Sequence, residues 1–300
     1  MPTVGPDVAE AGVSRSFLFV PADSEKKLAK ARGVNADALI LDLEDSVAAS
    51  AKKAARQTAR GFIAEGCAAE LWVRINPLDT SDALDDLREI LPAAPFGIVL
   101  PKPQGARDAN QLAKLLEVLE QESHISPGRT KILPVATERP SALFHMQDYA
   151  DATPRLAGLT WGAEDLSAAV GATACRDTDG RWLAPYELAR SLCLFAASAA
   201  GVPAVDTVYT DFKDLDGLAH YAGNARRDGF EGMLAIHPEQ VNVINEAFRP
   251  SAEEIARAER IVGLFAENPD AGALGMDGEM IDRPHWLQAK RILKTAARLD

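Results

Sequence analysis

From Ser16 onward, short apolar runs alternate with longer amphipathic segments. The runs SFLFV (16–20), DALILDL (37–43), ELWVRI (70–75), FGIVLP (96–101), KILPVAT (131–137), LAGLTWG (156–162), PAVDTVY (203–209) and EGMLAI (231–236) read as strands. Between them, EKKLAKARG, AKKAARQTARGFIAEG, SDALDDLREI, DANQLAKLLEVLEQES and PYELARSLCLFAASAAG carry Leu and Ala stripes at helical spacing. Near-continuous apolar strands separated by helices mark a parallel sheet covered on both faces. Eight such units predict an α/β fold, a (β/α)8 TIM barrel, over an open doubly wound sheet. No G-x-G-x-x-G opens the first helix, which also disfavours the open sheet.

The chain beyond His237 predicts a C-terminal extension. SAEEIARAERIVGLFAEN is amphipathic, and a last helix starts near Trp286. Between them PDAGALGMDGEMIDRP, rich in Gly, Pro and Asp, reads as a loop or lid. The insert GATACRDTDGRWLAP (171–185) reads as a long loop after the sixth strand. The expected layout is a mobile leader over 1–14, a barrel over 15–249, and C-terminal helices with a lid over 250–300.

Charge and cysteine content narrow the function. With 32 basic and 44 acidic residues the net charge is −12, which argues against a broad nucleic-acid or anionic-membrane surface. An anionic substrate therefore needs a local basic pocket. Cys67, Cys175 and Cys193 form no C-x-x-C pair, so neither a disulfide framework nor a zinc knuckle is expected. No apolar run reaches membrane-helix length. The first fourteen residues lack the basic and apolar regions of a signal peptide. A cytoplasmic location is expected.

Active sites of such barrels lie at the carboxyl ends of the strands. The residues found there are Pro21, Glu44 with Asp45, Arg74 with Asn76, Lys102, Glu138, Glu164 with Asp165, Asp211 and His237. Crowded carboxylates repel unless a cation sits among them. Magnesium takes one or two carboxylates and completes its shell with water and substrate oxygens. Glu138 and Asp165 end adjacent strands and are placed to share one ion. Asp45 and Asp165 also suit helix N-caps. Glu138, with Arg139-Pro140 behind it, suits one less well. Arg74 needs an anion at its strand end. Lys102, in LPKP, is either part of the mouth or a solvated loop lysine. His237 has a structural reading, orienting its loop, beside a catalytic one. The P-loop, zincin, nucleophile-elbow and EF-hand motifs are absent.

SRSFLFVPA, DALILDLEDSV, WVRINP, VLPKP, the Glu after the fifth strand, LTWGAEDLSAAVG, DGFEGMLAIHPEQV and DGEMIDRP occur in this order. Together they resemble the citrate lyase beta-subunit-like enzymes. That group includes malyl-CoA, citramalyl-CoA and β-methylmalyl-CoA lyases, within the wider class of metal-dependent 2-keto-acid aldolases. The resemblance implies a trimeric or hexameric TIM barrel with a lid. It implies Glu138 and Asp165 as ligands of Mg2+ (or Mn2+), and Arg74 as the binder of acyl-carbonyl or keto-acid oxygens. Asp282 in MIDRP would be a lid group that transfers a proton in a neighbouring subunit's site. Glu44 and Asp45 match the acidic pair closing the second strand, and Lys102 supports the same mouth. The implied reaction is cleavage of a β-hydroxyacyl-CoA, such as malyl-, methylmalyl-, citramalyl-CoA or a citryl thioester, to acyl-CoA plus a 2-oxo acid. A thioesterase on the same site, a beta subunit working only with an acyl carrier protein, and an aldolase of free 2-keto acids are the alternatives. Lys26, Lys30 and Arg32 on the first helix are candidates for the CoA phosphates, against a reading as a solvated face. Arg139 departs from the resemblance, because relatives carry a small Thr or Ser there.

Overall fold

A computed structural model describes residues 14–299, so all but the last residue of the expected leader lies outside the described residues. Eight parallel strands alternate with helices. They are β1 (Ser16–Pro21), β2 (Ala38–Asp42), β3 (Glu70–Arg74), β4 (Gly97–Leu100), β5 (Lys131–Pro134), β6 (Leu159–Thr160), β7 (Ala204–Asp206) and β8 (Gly232–Ala235). The helices of this unit are α1 (Glu25–Ala31), α2 (Lys52–Glu65), α3 (Asp82–Ile90), α4 (Ala106–Glu122), α5 (Ala163–Ala169), α6 (Ala184–Ala200), α7 (Leu215–Asp228) and α8 (Pro238–Ala247). Between β5 and β6, Pro140–Asp151 winds as a 3-10 segment.

The sheet runs β5-β4-β3-β2-β1-β8-β7-β6. The ends meet through two isolated parallel bridges, Ile132 with Leu156 and Val135 with Thr160, so the barrel is nearly closed. Gly158 permits this seam. A Cβ there would come within 3.1 Å of both the Leu133 side chain and the Pro203 carbonyl.

Side chains alternate across a strand, so every second residue points into the barrel. Phe17, Ala38, Ile40, Trp72, Val99, Leu133, Val135, Val205 and Leu234 form the interior cluster. Gly97 leaves room for the Trp72 indole, which a Cβ would strike. The same alternation carries Ala38 and Ile40 on to Asp42, and Trp72 on to Arg74. Asp42 and Arg74 are register partners across β2 and β3. The apolar interior thus ends in a facing acid and base at the carboxyl rim.

From Phe248 onward the described residues belong to a second compact unit. Helix α9 (Ala252–Glu267) opens on a capping box, with Ser251 accepting from the Glu254 N–H and Glu254 returning the bond. The segment expected as a loop or lid contains a hairpin, β9 (Ala273–Met276) and β10 (Glu279–Asp282). Its turn residues Asp277 and Gly278 have φ of 54° and 83°, the two left-handed positions that Asp-Gly favours in a tight hairpin. Helix α10 (Arg283–Leu299) follows, and Ile261, Phe265, Met276 and Ile281 pack the unit's core. Among the described residues no helix is long and apolar enough to cross a membrane.

Candidate active site

The rim is built around Arg74. Its Nε and Nη2 each donate to an oxygen of Asp42 at 2.7 Å, a two-pronged pair. Asp42 is 1% exposed. Burial alone would raise its pKa, yet the Arg74 bonds and charge hold it below the ordinary range. Asp42 also ties down its own loop, accepting from the N–H groups of Glu44 and Ser46. The remaining guanidinium nitrogen, Nη1, lies 3.2 Å from Glu44 Oε2. That contact is an ion pair without hydrogen-bond geometry, and this buried oxygen has no hydrogen bond.

Lys102 ties the rim together. Its ammonium lies 2.7 Å from Glu44 Oε1, 2.9 Å from Asp45 Oδ2 and 3.4 Å from Asp165 Oδ1. Its backbone N–H donates to Glu138 Oε2 at 2.5 Å. The solvated reading of Lys102 therefore fails, because its side chain reaches three carboxylates and its backbone a fourth. Asp45 and Asp165 do not act as N-caps. Asp45 pairs with Lys102, and Asp165 lies in the first turn of α5, whose N-cap is Gly162.

Glu138 is 4% exposed. Burial pushes its carboxyl up to about 8, with Glu44 and Asp165 adding repulsion, against the Lys102 N–H and Arg74. Burial likewise raises Glu44, opposed by Arg74 and Lys102. Gly162 gives Glu138 its space. A Cβ there would lie 2.7 Å from Glu138 Cγ and 3.3 Å from its Oε1.

These residues fit a hard divalent cation. A carboxyl kept protonated by burial recovers its charge when a cation arrives. Among the described residues no group of three or more His, Cys, Asp or Glu side chains is placed to hold a metal ion. Magnesium needs only one or two protein carboxylates and takes its remaining ligands from water and substrate, unlike a structural zinc.

The other sequence candidates divide. Asn76 is structural, donating its N–H and Nδ2 to Asp86 at 2.7 Å. His237 stacks on Phe212 with ring centroids 4.9 Å apart, and its Nδ1 accepts from the Glu239 N–H, so the loop-orienting reading holds. Asp211 is exposed and caps its own turn at Lys213. Glu164 faces Cys175 Sγ at 3.6 Å. On α1, Lys26 and Lys30 are exposed, whereas Arg32 pairs with Glu65 and the Gly66 carbonyl and lies over the Phe62 ring. In the second unit, Asp282 Oδ1 lies 2.6 Å from His285 Nδ1.

Two buried acids within strands escaped the sequence reading. Asp42 is one. Asp206, 0% exposed, is the other; it accepts from Trp161, Tyr221 and Arg190. A lone Asp inside an apolar run was their only sequence signal.

The sequence matches the family model described as HpcH/HpaI aldolase/citrate lyase over residues 15–238. The chain belongs to that family. Within the HpcH/HpaI family, it is 36% identical over 280 residues to the citrate lyase subunit beta-like protein of Mycobacterium tuberculosis, covering 93% of this chain and 94% of that protein. It is 33% identical to the (3S)-malyl-CoA thioesterase of Cereibacter sphaeroides, covering 94% of each. Its fold matches a crystal structure of CitE from Mycobacterium tuberculosis in complex with magnesium, acetoacetate and coenzyme A. The TM-score is 0.77 at 35% identity, covering 95% of this chain and 98% of that one.

Proposed function

We propose that this chain is a magnesium-dependent carbon–carbon lyase that cleaves a β-hydroxyacyl-CoA to an acyl-CoA and a 2-oxo acid. One observation carries the reading: Glu44, Asp45, Glu138 and Asp165 gather on Lys102 at the carboxyl ends of the strands, with Arg74 beside them. Family membership and the magnesium and CoA found with the M. tuberculosis protein support it.

Glu138 and Asp165 would hold the ion, which would supply Lewis acidity to the substrate. The hydroxyl proton passes to the carboxylates ringing the mouth as the Cα–Cβ bond breaks. Charge then develops on the thioester oxygen. Arg74 stabilises it through Nη1, the nitrogen Asp42 leaves uncommitted. One preorganised donor of this kind contributes about 3–4 kcal/mol. Glu44 orients both Arg74 and Lys102, one from each carboxylate oxygen. As the family resemblance implies, Asp282 of a neighbouring subunit returns a proton to the enolate carbon. Lys26 and Lys30 meet the CoA phosphates. The protein works in the cytoplasm as a homotrimer or hexamer, a state that light scattering reads directly.

The likeness to a malyl-CoA thioesterase supports a second reading, in which water attacks the thioester at the same site. Malyl-, methylmalyl-, citramalyl- and citryl-CoA, assayed with and without magnesium and followed by product mass, separate the two. The lyase releases acyl-CoA and a 2-oxo acid; the thioesterase releases CoA and a hydroxy acid. No metal-dependent turnover of any of them by the isolated chain contradicts both.

A further inference from the structure

Helix α5 carries Asp165 in its first turn, yet little in α5 itself fixes that carboxylate. The helix has seven residues, and its N-cap, Gly162, offers no side-chain bond. Helices shorter than about 12–15 residues do not stand alone in water. The chain that follows, residues 168–174, is exposed. Support comes from two tryptophans that bracket this stretch, Trp161 before it and Trp182 after it. Their ring centroids are 5.0 Å apart, edge to face at 67°.

Both tryptophans lead to Asp206. Trp161 Nε1 donates to Asp206 Oδ1 at 2.7 Å. Trp182 Nε1 donates to the Tyr221 hydroxyl at 3.1 Å, and that hydroxyl donates to the same Oδ1 at 3.1 Å. Burial raises the Tyr221 pKa, with Asp206 adding repulsion, so the hydroxyl keeps the proton it donates. The Thr207 N–H also reaches Oδ1, at 2.8 Å. Arg190 takes Oδ2 through Nε at 3.0 Å and Nη2 at 2.8 Å, and is itself held by Asp228 at 2.7 Å. Asp206 is thus a fully engaged, buried post rather than a reacting group. The insert is fastened to it a second way. The Arg176 guanidinium lies 3.4 Å from the Trp182 ring centroid and 5.1 Å from that of Tyr221.

We propose that Asp206 is a positioning residue for the metal site: it ties down both ends of the segment that carries Asp165 and so holds that carboxylate at the mouth. One tether is direct, through Trp161, and the other runs through Tyr221 to Trp182. This rests on Asp165 being a magnesium ligand, as read above. Groups that orient a ligand in this way typically change metal affinity about 10–100-fold when removed.

Trp161→Phe and Tyr221→Phe test it, because each keeps an aromatic ring and deletes one donor to Asp206. Magnesium affinity by calorimetry should fall about tenfold or more in each, with the circular dichroism spectrum unchanged. Glu120→Gln is the control. It breaks a buried pair of the same kind, in which Arg155 meets Glu120 at 2.7 and 2.8 Å near the amino ends of β5 and β6. It should lower the melting temperature and leave magnesium affinity as in the wild type. Wild-type magnesium affinity in both folded Phe variants overturns the proposal; should Trp161→Phe not fold, Tyr221→Phe decides alone. An equal loss of affinity in Glu120→Gln also overturns it, because general destabilisation then accounts for the effect. Asp165→Asn separates the two layers. If it binds magnesium as the wild type does, the ligand reading fails and the positioning role with it. If it loses magnesium while both Phe variants keep it, the positioning role alone fails.

Discussion

Lys102 donates its backbone N–H to Glu138 Oε2 at 2.5 Å from a left-handed backbone with φ of 48°. Pro103 follows it, and a residue before proline favours extended backbone. A non-glycine residue in this region costs on the order of 1–3 kcal/mol and persists only when its surroundings hold it. Here the restraints are visible: the Glu138 bond on the main chain and three carboxylates around the ammonium. The loop after β4 thereby fixes the carboxylate at the end of β5, and the site inherits the rigidity of the barrel.

Gly162→Ala should disable the site without unfolding the barrel. Gly162 has an ordinary φ of −118°, so the backbone tolerates alanine. The new methyl meets Glu138 Cγ at 2.7 Å and Val135 Cγ1 at 3.3 Å. Magnesium affinity should fall about tenfold or more, while thermal denaturation shows a loss of about 1–3 kcal/mol. Unchanged metal affinity contradicts the placement of Glu138.

Arg74→Met should cost both stability and activity. It strands Asp42, buried and stripped of its partner. Breaking a buried pair in this way costs about 3–5 kcal/mol, read as a lower denaturation midpoint. Arg74→Lys keeps the charge but loses the planar fork. Its kcat should fall by about 100-fold or more, and its stability loss should be the smaller of the two. Full kcat in Arg74→Lys removes Arg74 from the reaction.

The pH dependence follows from Glu138. Its carboxyl is raised to about 8 in the metal-free fold. A raised acid contributes stability that is full below its unfolded value and is lost as pH rises through about 8. Metal-free protein should therefore lose this contribution between about pH 5 and 8, seen as a falling melting temperature in calorimetry. Magnesium takes the carboxylate form, so below about pH 8 its binding displaces a proton. Its affinity should rise by about tenfold per pH unit from pH 6 and level off above about 8. A flat profile contradicts a buried, protonated Glu138.

The barrel was legible because each strand is a compact apolar run, and the rim because its polar residues close those runs. What escaped needed partners distant in sequence. Asp42 reads as one polar residue in ALILD, and its meaning comes from Arg74, which the β2–β3 register sets opposite. Asp206 likewise awaits Arg190 and Trp161. Asp45 and Asp165 carry the same local signature whether they cap a helix or face Lys102, so only the loop geometry at Lys102 separates the two roles. The β9–β10 hairpin escaped for another reason. Asp277-Gly278 is a strong turn signal, but the flanking ALGM and EMID are largely exposed and lack a clear alternation.

Magnesium titration by calorimetry, at about pH 8, of the wild type, Glu138→Gln and Asp165→Asn tests the account most directly. It predicts one site per chain in the wild type and heats at the level of dilution in both variants, each retaining the wild-type circular dichroism spectrum. Magnesium bound equally well by either folded variant contradicts it.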